Sequence, residues 1–129
     1  MSIITGVGSP GTVASASGGK VYGYNNISES AAIAVAPANP QRTKITFHNP
    51  GSSDLYVAPA VVQNTLGTAP GVNQTNTTLT LTNAALGGSL IIFSQGTLEI
   101  TGECQGAWQA LAKTGAGTTN PLTVIDTNV

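Results

Sequence analysis

Apolar residues in this chain alternate with polar ones in short bursts and do not recur at helical spacing. No window carries an apolar stripe three and four residues apart, whereas period-two segments bounded by Gly, Pro, Asn and Ser recur. This pattern predicts strands near residues 20–24, 31–36, 43–48, 54–58, 77–81, 89–93, 97–101, 107–112 and 122–126. The runs are rich in β-branched and aromatic residues, and the intervening NPGSS, LGG, SQG and TGAG supply turn residues. Eight or nine short strands with some long connections point to an all-β domain. A single jelly-roll-like or Greek-key β-sandwich of about eight antiparallel strands is expected, in preference to an up-and-down barrel.

Two regions break the pattern. Residues 1–19 are rich in Gly, Ser and Ala and punctuated by Pro10, which predicts a loose N-terminal arm ahead of a sandwich domain over 20–129. Residues 63–78, QNTLGTAPGVNQTNTT, form a polar stretch longer than most loops of compact domains. Both are expected to touch a partner, with Ser9, Pro10 and Thr12 in the arm and Thr68, Asn73 and Asn76 in the loop as the positions assigned to contact.

The stretch RTKITFHNPGSSDLYVAP concentrates polar chemistry: Arg42, Lys44, the single histidine His48 and Asp54 lie close together. Strand alternation places Ile45 and Phe47 on one side and Arg42, Lys44, Thr46 and His48 on the other. If NPGSS closes a hairpin, Phe47 pairs with Leu55, Ile45 with Val57, Thr46 with Tyr56 and His48 with Asp54. The apolar side is then core. The polar side is either a contact patch formed by Arg42, Lys44, His48 and Tyr56, or a solvated face whose charges prevent aggregation.

Composition narrows the possibilities. Val, Ile, Leu and Phe make up 30 of 129 residues, which suffices for one real core. Charged residues are 7% of the chain, against about 25% in ordinary soluble domains. A nearly neutral, hydroxyl-rich surface favours self-association or a large partner surface. Four Lys and Arg are too few to neutralise a run of phosphates, so nucleic acid is not an expected partner. The longest apolar run, 30–38, is far short of a membrane-spanning helix, and membrane is not expected either. The first residues do not read as a secretory signal and begin with Met, so synthesis in a cytoplasm, or assembly into a particle there, is expected.

Catalytic and ligand-binding signatures are weak. His48 opposite Asp54 resembles two thirds of a nucleophilic triad, but no G-x-S-x-G elbow accompanies it, and Ser52 and Ser53 lie nearby in a chain full of serine. Glu29, Asp54, Glu99, Glu103 and Asp126 form no acidic motif, and Glu99 reads as a solvated strand residue. One His and one Cys offer no metal-ligand spacing. GVGSPG and KTGAGTTN lack the Lys-Ser/Thr that follows a phosphate loop, and the Asn-x-Ser/Thr triplets are those chance supplies. No catalytic residue, metal or cofactor is expected. Cys104 reads as a small buried hydrophobe. Trp108, sharing a strand face with Ala110 and Ala112, reads as a core plug whose indole N–H finds a carbonyl, or alternatively as a platform for a sugar ring.

Three stretches, NPQRTKITFHNPGSSDLYVAP, GGSLIIFSQGTLEITG and GAWQALAKTGAGTTNPLTVID, resemble in that order the strands of small all-β accessory proteins of tailed-phage virions. The likeness extends over about residues 39–126 and is greatest to capsid decoration or cement proteins; tail, fibre and neck components look similar. The resemblance implies a non-enzymatic homo-oligomer located in the virion, with the major capsid protein or other virion subunits as partners, that binds an assembled capsid and reinforces it. A carbohydrate- or receptor-binding module of a tail fibre or other surface assembly is the alternative.

Overall fold

The computed structural model describes residues 19–60, 62–63, 76–85 and 87–128. The first four-stranded sheet has the order β1 (Gly19–Ile27), β10 (Asn120–Asn128), β3 (Arg42–His48), β8 (Thr97–Thr101). The second has the order β2 (Ile33–Ala36), β9 (Trp108–Ala112), β4 (Leu55–Pro59), β7 (Leu90–Ile92). A two-residue ladder joins β5 (Val62–Gln63) to β6 (Asn76–Thr77). All pairings are antiparallel, and β1 with β10, β2 with β9, β3 with β8 and β4 with β7 make one long double ribbon. Rolling that ribbon brings β10 against β3 and β9 against β4, which is the topology of a jelly roll.

The inner faces of the two sheets enclose Ile27, Val35, Ile45, Phe47, Leu55, Val57, Ile92, Trp108, Ala110, Leu122 and Val124, all buried. Phe47 and Trp108 meet with ring centroids 5.4 Å apart and planes tilted by 59°. Trp108 is the expected core plug: its Nε1–H donates to the Cys104 carbonyl at 3.2 Å, and Ala110 and Ala112 beside it leave room for the indole. Cys104 is buried as expected.

The expected hairpin at NPGSS is replaced by an arch. β3 lies in the first sheet and β4 in the second, so His48 aligns with Thr97 and Thr123, and Leu55 with Ile92 and Ala112. The alternation places Ile45, Phe47, Leu55 and Val57 inside in both arrangements, because the core of a sandwich is lined by two sheets instead of one. Period two therefore determines the inward face and leaves the pairing partner open.

Arg42 is a second correction. It is 1% exposed, not part of a polar outer face. The register passes from Thr127 opposite Lys44 to Asn128 opposite Arg42, so Thr43 is an extra residue in β3. This β-bulge shifts the alternation by one, and Arg42 turns inward where its parity with Lys44 and His48 would have turned it out. Its five N–H groups are all used: Nε donates to Asp126 Oδ1 (2.9 Å), Nη2 to Asp126 Oδ2 (3.2 Å) and the Pro37 carbonyl (2.6 Å), and Nη1 to the Cys104 and Gly106 carbonyls (2.7 and 2.8 Å). Asn39 Nδ2 donates to both Asp126 oxygens and to Asn128 Oδ1.

Residues 77–81, expected as a strand, contain only the end of β6. Both sides of β4 are already occupied, by β9 and β7, so no strand position beside it is open. Residues 78–80 cross the outer face of the second sheet, where Leu79 packs on Ala58 and Leu111 and its N–H donates to Gln109 Oε1 at 2.9 Å. The chain then turns into α1 (Leu81–Ala85), and Gly87, at φ 91°, donates its N–H to the Ala84 carbonyl. Of the proposed arm, 1–19, residues 1–18 lie outside the described residues, as does most of the long loop, 64–75; Gly19 belongs to β1, aligned with Thr127.

Burial is the largest influence on the Asp126 carboxyl and pushes its pKa up. The hydrogen bonds from Arg42 and Asn39, with the charges of Arg42 and Lys20, outweigh it, and the pKa lies below the usual carboxylate range. The stabilisation it provides is therefore complete above about pH 4, the unfolded-state value, and is lost as pH falls through the depressed folded value. Arg42→Met or Asp126→Leu alone leaves an unpaired buried charge and is expected to cost about 3–5 kcal/mol in urea denaturation, with the double variant costing less than either. Lys44→Ala, which removes a half-exposed ion pair at 3.8 Å to Glu99, should change stability by less than about 1 kcal/mol. The double variant should also lose less stability in acid than the parent chain.

Candidate interaction surfaces

The residues assigned to one polar patch are distributed over the molecule. Lys44 and His48 lie on the outer face of the first sheet, Tyr56 on the outer face of the second, and Arg42 in the interior. His48 and Asp54 do not meet: His48 Nδ1 is 3.0 Å from Thr97 Oγ1, and Asp54 Oδ1 accepts the Ser94 N–H at 2.9 Å. Asn76 is in β6, aligned with Gln63. Ser9, Pro10, Thr12, Thr68 and Asn73 lie outside the described residues.

The first sheet's outer face follows from the register. One cross-strand row runs Val21, Ile125, Thr46, Glu99, and the next runs Gly23, Thr123, His48, Thr97. It is a threonine-rich surface on which Lys44 and Glu99 are the charges, and Val21 projects from it, 68% exposed. Thr46 at its centre is nearly covered by its neighbours.

The second sheet presents a different surface at its rim. β7 pairs with β4 on one side and is the outermost strand. Leu90, Ile91 and the following Phe93 are 44%, 46% and 65% exposed, so three large apolar side chains cluster on a sheet edge. Ile91 is aligned with Tyr56 on the outer face, while Ile92, aligned with Leu55, enters the core. An open groove of about 330 Å³ adjoins this strand, lined by Val57, Pro59, Gly88, Ser89, Leu90 and Trp108. Ser89 Oγ, at the start of the strand, is buried without a hydrogen-bond partner among the described residues. No Asp, Glu, Lys or Arg occurs anywhere from residue 55 to residue 98. The spacing predicts a strand at 89–93 without distinguishing an edge from a central one; the charge-free run around it is the signal that marks it.

The corner that carries Phe93 is held rigidly. Gly96 N–H donates to the Phe93 carbonyl at 2.8 Å, and Gln95 between them takes φ 64°, a left-handed conformation unusual for a residue with a side chain. Contacts to the arch after β3 offset that strain. Gln95 Nε2 donates to the Pro50 and Gly51 carbonyls, Ser94 Oγ to the Gly51 carbonyl, and Asn49 N–H to the Gly96 carbonyl. Asn49 is itself buried, with Nδ2 donating to the Ser53 and Ile92 carbonyls and Oδ1 accepting the Gly51 N–H. NPGSS, expected as a hairpin loop, is therefore the seat of the β7–β8 turn.

At the same end of the strands, after β1, Glu29 caps the turn before β10. Its carboxylate accepts the Gly117 N–H at 2.7 Å and the Gly115 N–H at 3.1 Å, both glycines having positive φ. The Gly117 bond first and the Gly115 bond second hold its pKa below the usual glutamate range. A groove of about 280 Å³ beside it is lined by Glu29, Ala32, Leu79, Leu81 and Leu111. Among the described residues, no group of three or more His, Cys, Asp or Glu is placed to hold a metal ion, and no helix is long and apolar enough to cross a membrane.

No family model matches this chain, and no curated protein does. A solved structure from a study of Bacillus endospore appendages, described as a novel family of disulfide-linked pili, aligns over 87% of this chain and 86% of its own at 10% identity, with a TM-score of 0.42. A likeness of that size carries no argument about function.

Asn49→Ala removes three hydrogen bonds from a buried site and is expected to lower stability by about 2–3 kcal/mol in urea denaturation. Gly96→Ala places a Cβ 2.9 Å from the Phe93 carbonyl oxygen and should distort the same turn. In both variants, amide exchange should accelerate at Ser94 and Gly96 before it does in β9.

Proposed function

We propose that this chain is a non-enzymatic structural protein of the virion that binds an assembled tailed-phage capsid and reinforces it as a decoration or cement protein. The observation that carries this reading is the distribution of charge over a rigid sandwich. The chain has nine charged residues, of which Arg42 and Asp126 neutralise each other in the interior, and none falls between 55 and 98, the span that holds the exposed apolar side chains Leu90, Ile91 and Phe93. Such a surface is suited to being covered by a neutral neighbour and ill suited to a monomer in dilute solution. The partners in this reading are the major capsid protein or other virion subunits, together with further copies of the chain. Many individually weak contacts to a repeating shell add up through multivalency.

The carbohydrate-binding alternative loses its platform, since Trp108 is 5% exposed and its indole N–H is engaged with Cys104. A triad-like enzyme at His48 loses its pairing, since Asp54 belongs to the arch and β4 side of the molecule.

The test is particle composition. The protein should co-sediment with assembled capsids at a copy number that tracks the number of shell subunits, and the purified protein should rebind shells stripped of it. Absence from particles, or presence at a few copies restricted to the tail, would overturn the reading.

A further inference from the structure

We infer that the β7 edge is a self-recognition site, at which two copies of this chain pair their Leu90–Ile92 strands antiparallel about a two-fold axis to join two four-stranded sheets into one of eight. The inference deepens the decoration reading by naming the contact between copies, and rests on that reading only for its place on a shell.

The four outer strands of the sandwich are β1, β8, β2 and β7. Three carry features that discourage pairing. β1 includes Lys20, two glycines and a register shift between Tyr24 and Ile27; β8 exposes Glu99 between two exposed threonines; β2 is bulged between Ala34 and Ala36 and followed by Pro37. β7 has no charge, proline or bulge, and bears Leu90 and Ile91 with Phe93 just beyond, all substantially exposed. Its short length is its one restraint.

Charge selects the occupant. A surface with no formal charge cannot recruit a charged partner by ion pairing, and it imposes a desolvation cost on any charge it buries. Another copy of the same edge is neutral and carries the same apolar residues. Antiparallel pairing about a two-fold also needs no second complementary surface, because an isologous contact uses one patch twice. The strand meets its twin along the side on which no other described strand pairs with it, with Ile91 of one copy opposite Ile91 of the other and Phe93 diagonally beside it. The Asn49, Ser94 and Gln95 contacts hold the Phe93 corner in place before the partner arrives, so little ordering remains to be done on association.

Sedimentation velocity on the full chain tests this without any particle. The protein should dimerise, and association should be as strong or stronger in molar salt as in dilute buffer. Ile91→Lys and Phe93→Lys should each weaken the dimer by at least about tenfold, with urea midpoints confirming that the variants are folded. Thr101→Lys on the polar β8 edge should leave the dimer intact. Ile91→Cys in a Cys104→Ala background should form an interchain disulfide on oxidation, since antiparallel partners place Cα atoms about 4.5–5.5 Å apart. A chain that stays monomeric, a dimer indifferent to Ile91→Lys, a dimer abolished only by deleting residues 1–18, or a dimer that fails to cross-link at position 91 would each overturn the proposal. A monomeric chain found on particles would overturn this contact and leave the decoration reading standing, whereas a chain that dimerises through Ile91 but is absent from particles would do the reverse.

Discussion

The buried pair of Arg42 and Asp126 is the interaction on which the arrangement of the chain depends. Its energetic return in stability alone is small, because two ions must leave water before they attract each other. Its positional return is large. The guanidinium binds the carboxylate of β10 and accepting carbonyls at Pro37, Cys104 and Gly106, so one side chain on β3 joins the connection from β2, the connection to β9 and the last strand. Gln105 completes the circuit by donating to the Arg42 carbonyl at 2.9 Å. Any slip of β10 against β3 would break these bonds together, so the bulge at Thr43 and the register of the first sheet are held by the same group.

The two open faces of the sandwich follow from what each sheet's inward residues leave behind. On the first, alternation opposite Ile45, Phe47, Leu122 and Val124 leaves threonines, a lysine and a glutamate outside, a surface that stays wet. On the second, the residues opposite the core are Ala58, Gln109 and Leu111, too apolar to be left bare, and residues 78–85 cover them. Ile91 is not among the residues that segment covers, so with Leu90 and Phe93 it leaves exposed hydrophobic area on the β7 rim, while Val21 is exposed on the first sheet.

Much of the fold was legible because inward faces repeat every second residue. Ile45, Phe47, Leu55, Val57 and Trp108 could be assigned to the core from spacing alone, and the strand count followed from the turn residues between them. What was illegible lies where a rule has two solutions. An arch and a hairpin bury the same four residues, so NPGSS could not reveal that it crosses between sheets. A single inserted residue inverts parity, so Arg42 read as surface although it is among the most buried residues of the chain. LIIF carries the composition of a buried strand, and only the order of strands in the sheet shows that it is an edge. The surface residues were hardest to read for the same reason, since composition reports what is apolar and topology decides what is left uncovered.

The rolled ribbon also constrains the life of the nascent chain. β10 lies between β1 and β3, and β9 between β2 and β4, so the last two strands made are the inner strands of both sheets. Until they emerge, β1 and β2 have no sheet partner, β3 and β4 can pair only with β8 and β7, and neither four-stranded sheet can be completed over Ile27, Ile45, Phe47, Leu55 and Val57. Closing such distant pairs is slow in comparison with local structure. A growing chain of this design therefore remains incomplete until synthesis has passed β10.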